Sequence, residues 1–267
     1  MNSTPVGCRV RSGILVAAVL VLPWLAGCAS APVTHRARPE AAGVVAAMRA
    51  VRPAPLDIAV HEISAGGTTE KHDELTSLVA KNITGAIAQS QSLAFQPLGT
   101  DADAGPARAE LEDVQALLRV IGLNEAMPLG AATPPSQRPS RALDFQVGRI
   151  DRLADALQVD AVLFVFVRDQ YSTGGRKAVM ALAVLAGAAA GVAITPAMGV
   201  TSSSAALVAR DGTVLWYNQL GAAGLDLRTP NAAAEWVKRL LAGLPKLPAA
   251  PPASPATPEA SATVPGV

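Results

Sequence analysis

The stretch from Thr201 to Leu220 (TSSSAALVARDGTVLWYNQL) decides the fold. Two runs rich in β-branched, aromatic and small apolar residues flank Asp211-Gly212. An Asp-Gly pair between such runs predicts a two-residue type I′ turn, which needs positive φ at both central positions. That turn implies a register in which Arg210 opposes Thr213, Ala209 opposes Val214 and Leu207 opposes Trp216. Successive strand residues point to opposite faces, so Trp216 and Tyr217 belong to different sides of a sheet.

Helices are expected around this hairpin. Downstream, Thr229-Pro230 opens one whose core side is Ala233, Val237, Leu240 and Leu241, ending at Gly243 and Pro245. Upstream, Ala161–Val167 (AVLFVFV) is an unbroken apolar run, the mark of a strand covered on both faces. Leu143, Val147, Ile150, Ala154 and Leu157 recur at helical spacing, with Ser140 placed to cap. Leu111, Val114, Leu118 and Ile121 form another helical stripe, opened by Gly105-Pro106 and closed by Gly122. Leu56–Ser64 alternates as a strand and Gly66-Gly67 breaks it. Glu70–Gln89 then repeats Leu75, Val79, Ile83 and Ile87 four apart, with Glu70, Asp73 and Glu74 in the first turns, where the helix dipole favours acids. Leu93–Leu98 reads as a short strand. The order implies an α/β fold: one mixed sheet with packed helices, and a C-terminal Asp-Gly hairpin followed by a helix.

The chain has 267 residues, half of them hydrophobic and 16% charged, with a formal net charge of +1. That balance gives no electrostatic case for binding nucleic acid. Two cysteines and three histidines leave no disulfide scaffold or zinc ribbon.

Both ends of the chain differ from the middle. Arg9 and Arg11 precede an uncharged run, Gly13–Leu25, that is short for a bilayer span of about 20 residues. It leads into Leu25-Ala26-Gly27-Cys28, which resembles the lipobox of bacterial lipoproteins. The resemblance implies a signal peptide over residues 1–27 and diacylglyceryl and amide-linked acyl (palmitate-type) modification of Cys28. One acyl chain attaches a protein only marginally, whereas several on one cysteine hold it firmly without a transmembrane helix. Ala29, rather than Asp, follows the cysteine; by the enterobacterial rule this points to the periplasmic side of the outer membrane, with the inner membrane as the alternative. Residues 28–55 then read as a lipidated tether with room for a short helix near Ala41–Val51. Residues 56–244 form the periplasmic domain, and Pro/Ala-rich residues 245–267 a disordered tail.

Residues 174–199 interrupt the domain. Within them Ala178–Ile194 lacks any polar side chain, and Gly187 and Gly191 stand in a Gly-x-x-x-Gly spacing. Three readings are open: a membrane span, a helix lying on a membrane or partner, or a buried Ala/Gly-rich segment that needs no function.

Motifs for catalysis are absent. Gly174-Gly175-Arg176-Lys177-Ala178 lacks the spacing and hydroxyl of a phosphate loop. Ser202-Ser203-Ser204 lacks a nucleophile-elbow context and reads as solvated strand. His61, Glu70, His72 and Asp73 match no metal-ligand signature. Cys28 is therefore the one candidate site, for lipidation; no catalytic residue, cofactor or metal ligand is expected. Residues 154–163 (ADALQVDAVL) and 206–216 (ALVARDGTVLW) resemble phrases in curli-secretion-type lipoproteins, the amino-terminal domain of the Tol-Pal translocation protein, and lipoprotein activators of penicillin-binding proteins. That resemblance implies an α/β domain used for binding and assembly. The expectation is a non-catalytic envelope factor that binds an envelope protein and not nucleic acid, with homo-oligomerisation open. Two alternatives are a subunit of an oligomeric secretion or transport channel and an enzyme acting on peptidoglycan or lipid.

Overall fold

The computed structural model describes residues 35–91, 93, 98, 104–126, 142–193, 199–223 and 226–248. Residues 1–27, expected as a signal peptide, lie outside the described residues, as do Cys28, residues 249–267, Ser140 and most of Leu93–Leu98.

One mixed seven-stranded sheet carries the fold. Its strands are β1 (Arg36–Ala37), β2 (Val51–Pro53), β3 (Asp57–Ile63), β4 (Thr69–Lys71), β5 (Ala161–Ser172), β6 (Val200–Ala209) and β7 (Val214–Ala223). The order is β1-β7-β6-β5-β3-β4, and β2 also pairs with β5. Both β2 and β3 run parallel to β5, at Ala161–Leu163 and at Phe166–Ser172 respectively. They are one strand interrupted at Ala54–Leu56. Pro53 and Pro55 have no N–H to give a ladder, and the Pro55 carbonyl accepts instead from Gln115.

Six described helices flank the sheet: α1 (Ala41–Ala47), α2 (Asp73–Gln91), α3 (Ala104–Ala126), α4 (Asp151–Leu157), α5 (Gly174–Ala189) and α6 (Pro230–Leu240). On one face α1, α2 and α6 pack on Leu163, Val165, Val167, Leu207 and Trp216. On the other, α3, α4 and the segment from Leu143 to Ile150 pack on Val162, Phe164, Phe166, Val208 and Tyr217. The result is an α/β/α sandwich, which explains the unbroken apolar run of β5. Trp216 and Tyr217 do lie on opposite faces, and both are buried.

The hairpin differs from its expected turn. Asp211 does not adopt positive φ, while Gly212 does, at 86°. Gly212 N–H donates to the Ala209 carbonyl, and Ala209 N–H donates to the Thr213 carbonyl. This is a three-residue loop with a glycine bulge rather than a type I′ turn. A second irregularity follows, because Leu207 opposes Trp216 as expected but Val208, not Ala209, opposes Val214. The extra residue, Leu215, shares the Trp216 side of the sheet.

Five further departures from the sequence pattern are local. The stripe Leu143, Val147, Ile150, Ala154, Leu157 is buried throughout, but only Asp151–Leu157 is helical. The residues before it lie along the hairpin loop: Val147 N–H donates to Gly212, Ile150 N–H to Arg210, and Val214 N–H to Phe145. Glu70 belongs to β4, opposite Glu62, instead of to the helix that starts at Asp73. Helix α3 passes through Gly122 and continues to Ala126; Gly122 is buried beside the Ser204 and Tyr217 hydroxyls. Residues 36–54, expected as tether, enter the fold, with Ala41, Val45, Val51 and Ala54 buried. Leu247, expected in the tail, is also buried.

Candidate functional site

Strands β5 and β6 are antiparallel neighbours, with Asp169 opposite Thr201. A tight turn could join them. Instead the chain leaves at Thr173, builds α5, and returns at Gly199. Gly199 has φ of 127°, and a Cβ there would run into the Gln170 backbone. Exit and return are thus pressed together, and the insert is an excursion from one end of the sheet.

The helix is specified at both ends. Thr173 caps it, its hydroxyl accepting from Arg176 N–H at 3.1 Å. At the other end Gly191 takes φ of 73°. Val192 N–H reaches the Gly187 carbonyl and Gly191 N–H the Ala188 carbonyl, the two bonds of a Schellman stop. The glycine-rich stretch Gly174–Ala178 is the capped first turn.

What this helix does with its side chains is the unusual feature. Gly187 is its one buried residue, and Arg176, Met180 and Ala183 are half-buried on the same stripe. The rest faces outward: Leu182 and Leu185 are each 67% exposed, Val179 49% and Val184 36%. Val192 and Val200, at the return, are also exposed. No acidic residue occurs between Asp169 and Asp211, and the charges on α5 are Arg176 and Lys177 in its first turn. Burial within the domain, the reading that required no function, is therefore corrected. No described helix is long and apolar enough to cross a membrane. Helix α3 also exposes Leu117, Val120 and Leu123, with Arg119 among them.

A polar cluster lies at the same end of the sheet. Asp169 is buried and accepts from the Thr201 hydroxyl at 2.6 Å. Burial holds its carboxyl above the ordinary value, against the opposing pull of Thr201 and of Arg228. Arg228 forms a two-pronged pair with Asp226, which lowers the Asp226 pKa. The Arg228 guanidinium also stands 5.2 Å over the Tyr171 ring. Periodicity gave no sign of this group. Its one trace was that charged and polar residues continue β5 past its apolar run.

The remaining sequence candidates have structural positions. His61 faces Lys71, and Glu62 faces Glu70, across β3 and β4; Asp73 pairs with Lys71 at 2.7 Å. The strand and helix ends do meet, yet among the described residues no group of three or more His, Cys, Asp or Glu gathers in metal-binding geometry. Ser202 is exposed, but Ser203 and Ser204 are buried rather than solvated, because both sheet faces are covered there.

Compared with known family models, curated proteins and solved structures, the chain matches none. The class that can be stated is an α/β/α domain carrying one exposed apolar insertion helix.

Proposed function

We propose that this protein is a lipid-anchored factor of the bacterial envelope, held on the periplasmic side of the outer membrane through acylated Cys28. Its work is binding and assembly instead of catalysis. The observation that carries this reading is α5: a helix capped at both ends by its own sequence, with Leu182 and Leu185 turned outward from a closed sandwich. Contiguous exposed apolar surface of this kind marks a contact with another molecule or a membrane. The lipobox-like Leu25-Ala26-Gly27-Cys28 supplies the location.

The anchor depends on one sulfur atom. Cys8 falls within the signal segment, so Cys28 is the sole cysteine of the processed chain. Cys28→Ser should abolish incorporation of labelled palmitate and leave an uncleaved precursor; undiminished labelling would refute the lipoprotein assignment. A photo-crosslinking residue in place of Leu182, in intact envelopes, should give adducts that the same residue at Arg152 does not. Equal behaviour at both positions would refute the binding role of α5.

A further inference from the structure

We infer that the surface covering α5 is the lipid bilayer in which the Cys28 acyl chains sit, so that the domain rests on its own membrane through this helix. The inference deepens the reading above and rests on it for the acyl anchor.

Chain direction supplies the first argument. Strand β1 is antiparallel to β7, with Arg36 opposite Tyr217 and Ala37 opposite Trp216. Going backward from Arg36, the chain therefore heads along β7 toward Ala223. Ala223 opposes Val200, the residue at which the α5 insert returns. The tether thus leaves β1 toward the end of the sheet from which α5 emerges. The hairpin loop at Arg210–Gly212 and α4 lie at the opposite end. From Tyr217 to Ala223 is about 20 Å along a strand. From Cys28 to Arg36 the chain can span at most about 28 Å. A tether of that reach, leaving in that direction, can set the α5 end of the domain against the headgroups.

The chemistry of α5 fits that placement. Its outward surface is aliphatic, and its exposed charge, Lys177 in the first turn, is cationic and suited to anionic headgroups. A helix of 16 residues is about 24 Å long, too short to cross the hydrocarbon core but suited to lying in its surface. A second copy docking through the Gly-x-x-x-Gly spacing is disfavoured. Gly187 is buried and Gly191 lies beyond the helix, so the two do not form an open groove along it.

The experiment uses the full acylated chain in vesicles of phosphatidylethanolamine and phosphatidylglycerol. Cys28 is blocked by lipid, so Leu182→Cys, Leu185→Cys and, as control, Arg152→Cys each offer one thiol for an environment-sensitive fluorophore. Acyl labelling of Cys28 is measured on the same samples. An interfacial helix sits about 5–10 Å into the boundary between headgroups and acyl chains. Lipids brominated along the acyl chain should therefore quench probes 182 and 185 at least about twofold more than probe 152, and aqueous iodide should quench them less. Iodide quenching equal to that of probe 152 would overturn the inference, since α5 would face water. Protection from both quenchers would also overturn it, since a protein or a second copy would be the cover. Loss of Cys28 acylation with probes 182 and 185 still in lipid would refute the anchor and uphold the α5 contact. Acylation with probes 182 and 185 in water would refute this inference alone.

Discussion

Gly212 and Gly148 make a paired test of how the hairpin loop is seated. Both adopt positive φ, 86° and 81°. Their surroundings differ. A Cβ at Gly148 meets nothing within 4 Å, whereas one at Gly212 would penetrate the backbone of Gly148 itself. Alanine at either position bears the left-handed strain of about 1–2 kcal/mol, partly offset by lower entropy of the unfolded chain. At Gly212 the loop must also move away from the 142–150 segment. That movement strains two hydrogen bonds, Val147 N–H to Gly212 (2.9 Å) and Ile150 N–H to Arg210 (3.0 Å). Each contributes about 1 kcal/mol. Gly212→Ala should therefore cost about 2 kcal/mol more than Gly148→Ala, because the strain and entropy contributions cancel in the difference. Urea denaturation of both variants measures that difference, and their melting temperatures should differ by about 4–8 °C. Equal losses would refute the close approach of the two glycines and with it the reason that residues 142–150 are not helical.

Two other outcomes follow from the same fold. Helices cover both faces beside β7, so Trp216→Ala and Tyr217→Ala should both cost about 3–5 kcal/mol on chemical denaturation; a small loss at Tyr217 alone would mean that α3 does not cover its face. Asp169 titrates at the ordinary carboxylate value when unfolded and above it when folded. Its contribution to stability is complete below the ordinary value and is lost as pH rises through the raised one. Asp169→Asn, which keeps an acceptor for Thr201, should gain stability relative to the parent as pH rises through that window; denaturation midpoints that move in parallel for the two proteins would refute it.

Side-chain periodicity and capping chemistry determined much of this protein on their own. The apolar run Ala161–Val167 required cover on two sides, and it has it. Thr229-Pro230 with Ala233, Val237 and Leu240 specified α6, because a helix stop, start and buried stripe are all local. Asp211-Gly212 specified a hairpin, while the pairing of Leu207 with Trp216 is met only because the bulge at Leu215 restores the register.

Tertiary structure decided what local pattern does not encode. Spacing reports which side chains are buried, not where the backbone finds its hydrogen bonds. Leu143, Val147 and Ile150 are buried as a helix would bury them, yet the hairpin loop offers their backbone other partners. Glu70 became a strand residue because β3 had an open edge beside it, and residues 36–54 joined the sheet because β5 and β7 had edges free. The turn at Gly212 depended on that docking too. The insert is the sharpest case. Seventeen residues without a polar side chain, Ala178–Ile194, carry the same hydrophobicity whether buried or exposed. Only the sandwich, already closed by α1, α2 and α6 on one face and α3 and α4 on the other, leaves α5 without a core to enter.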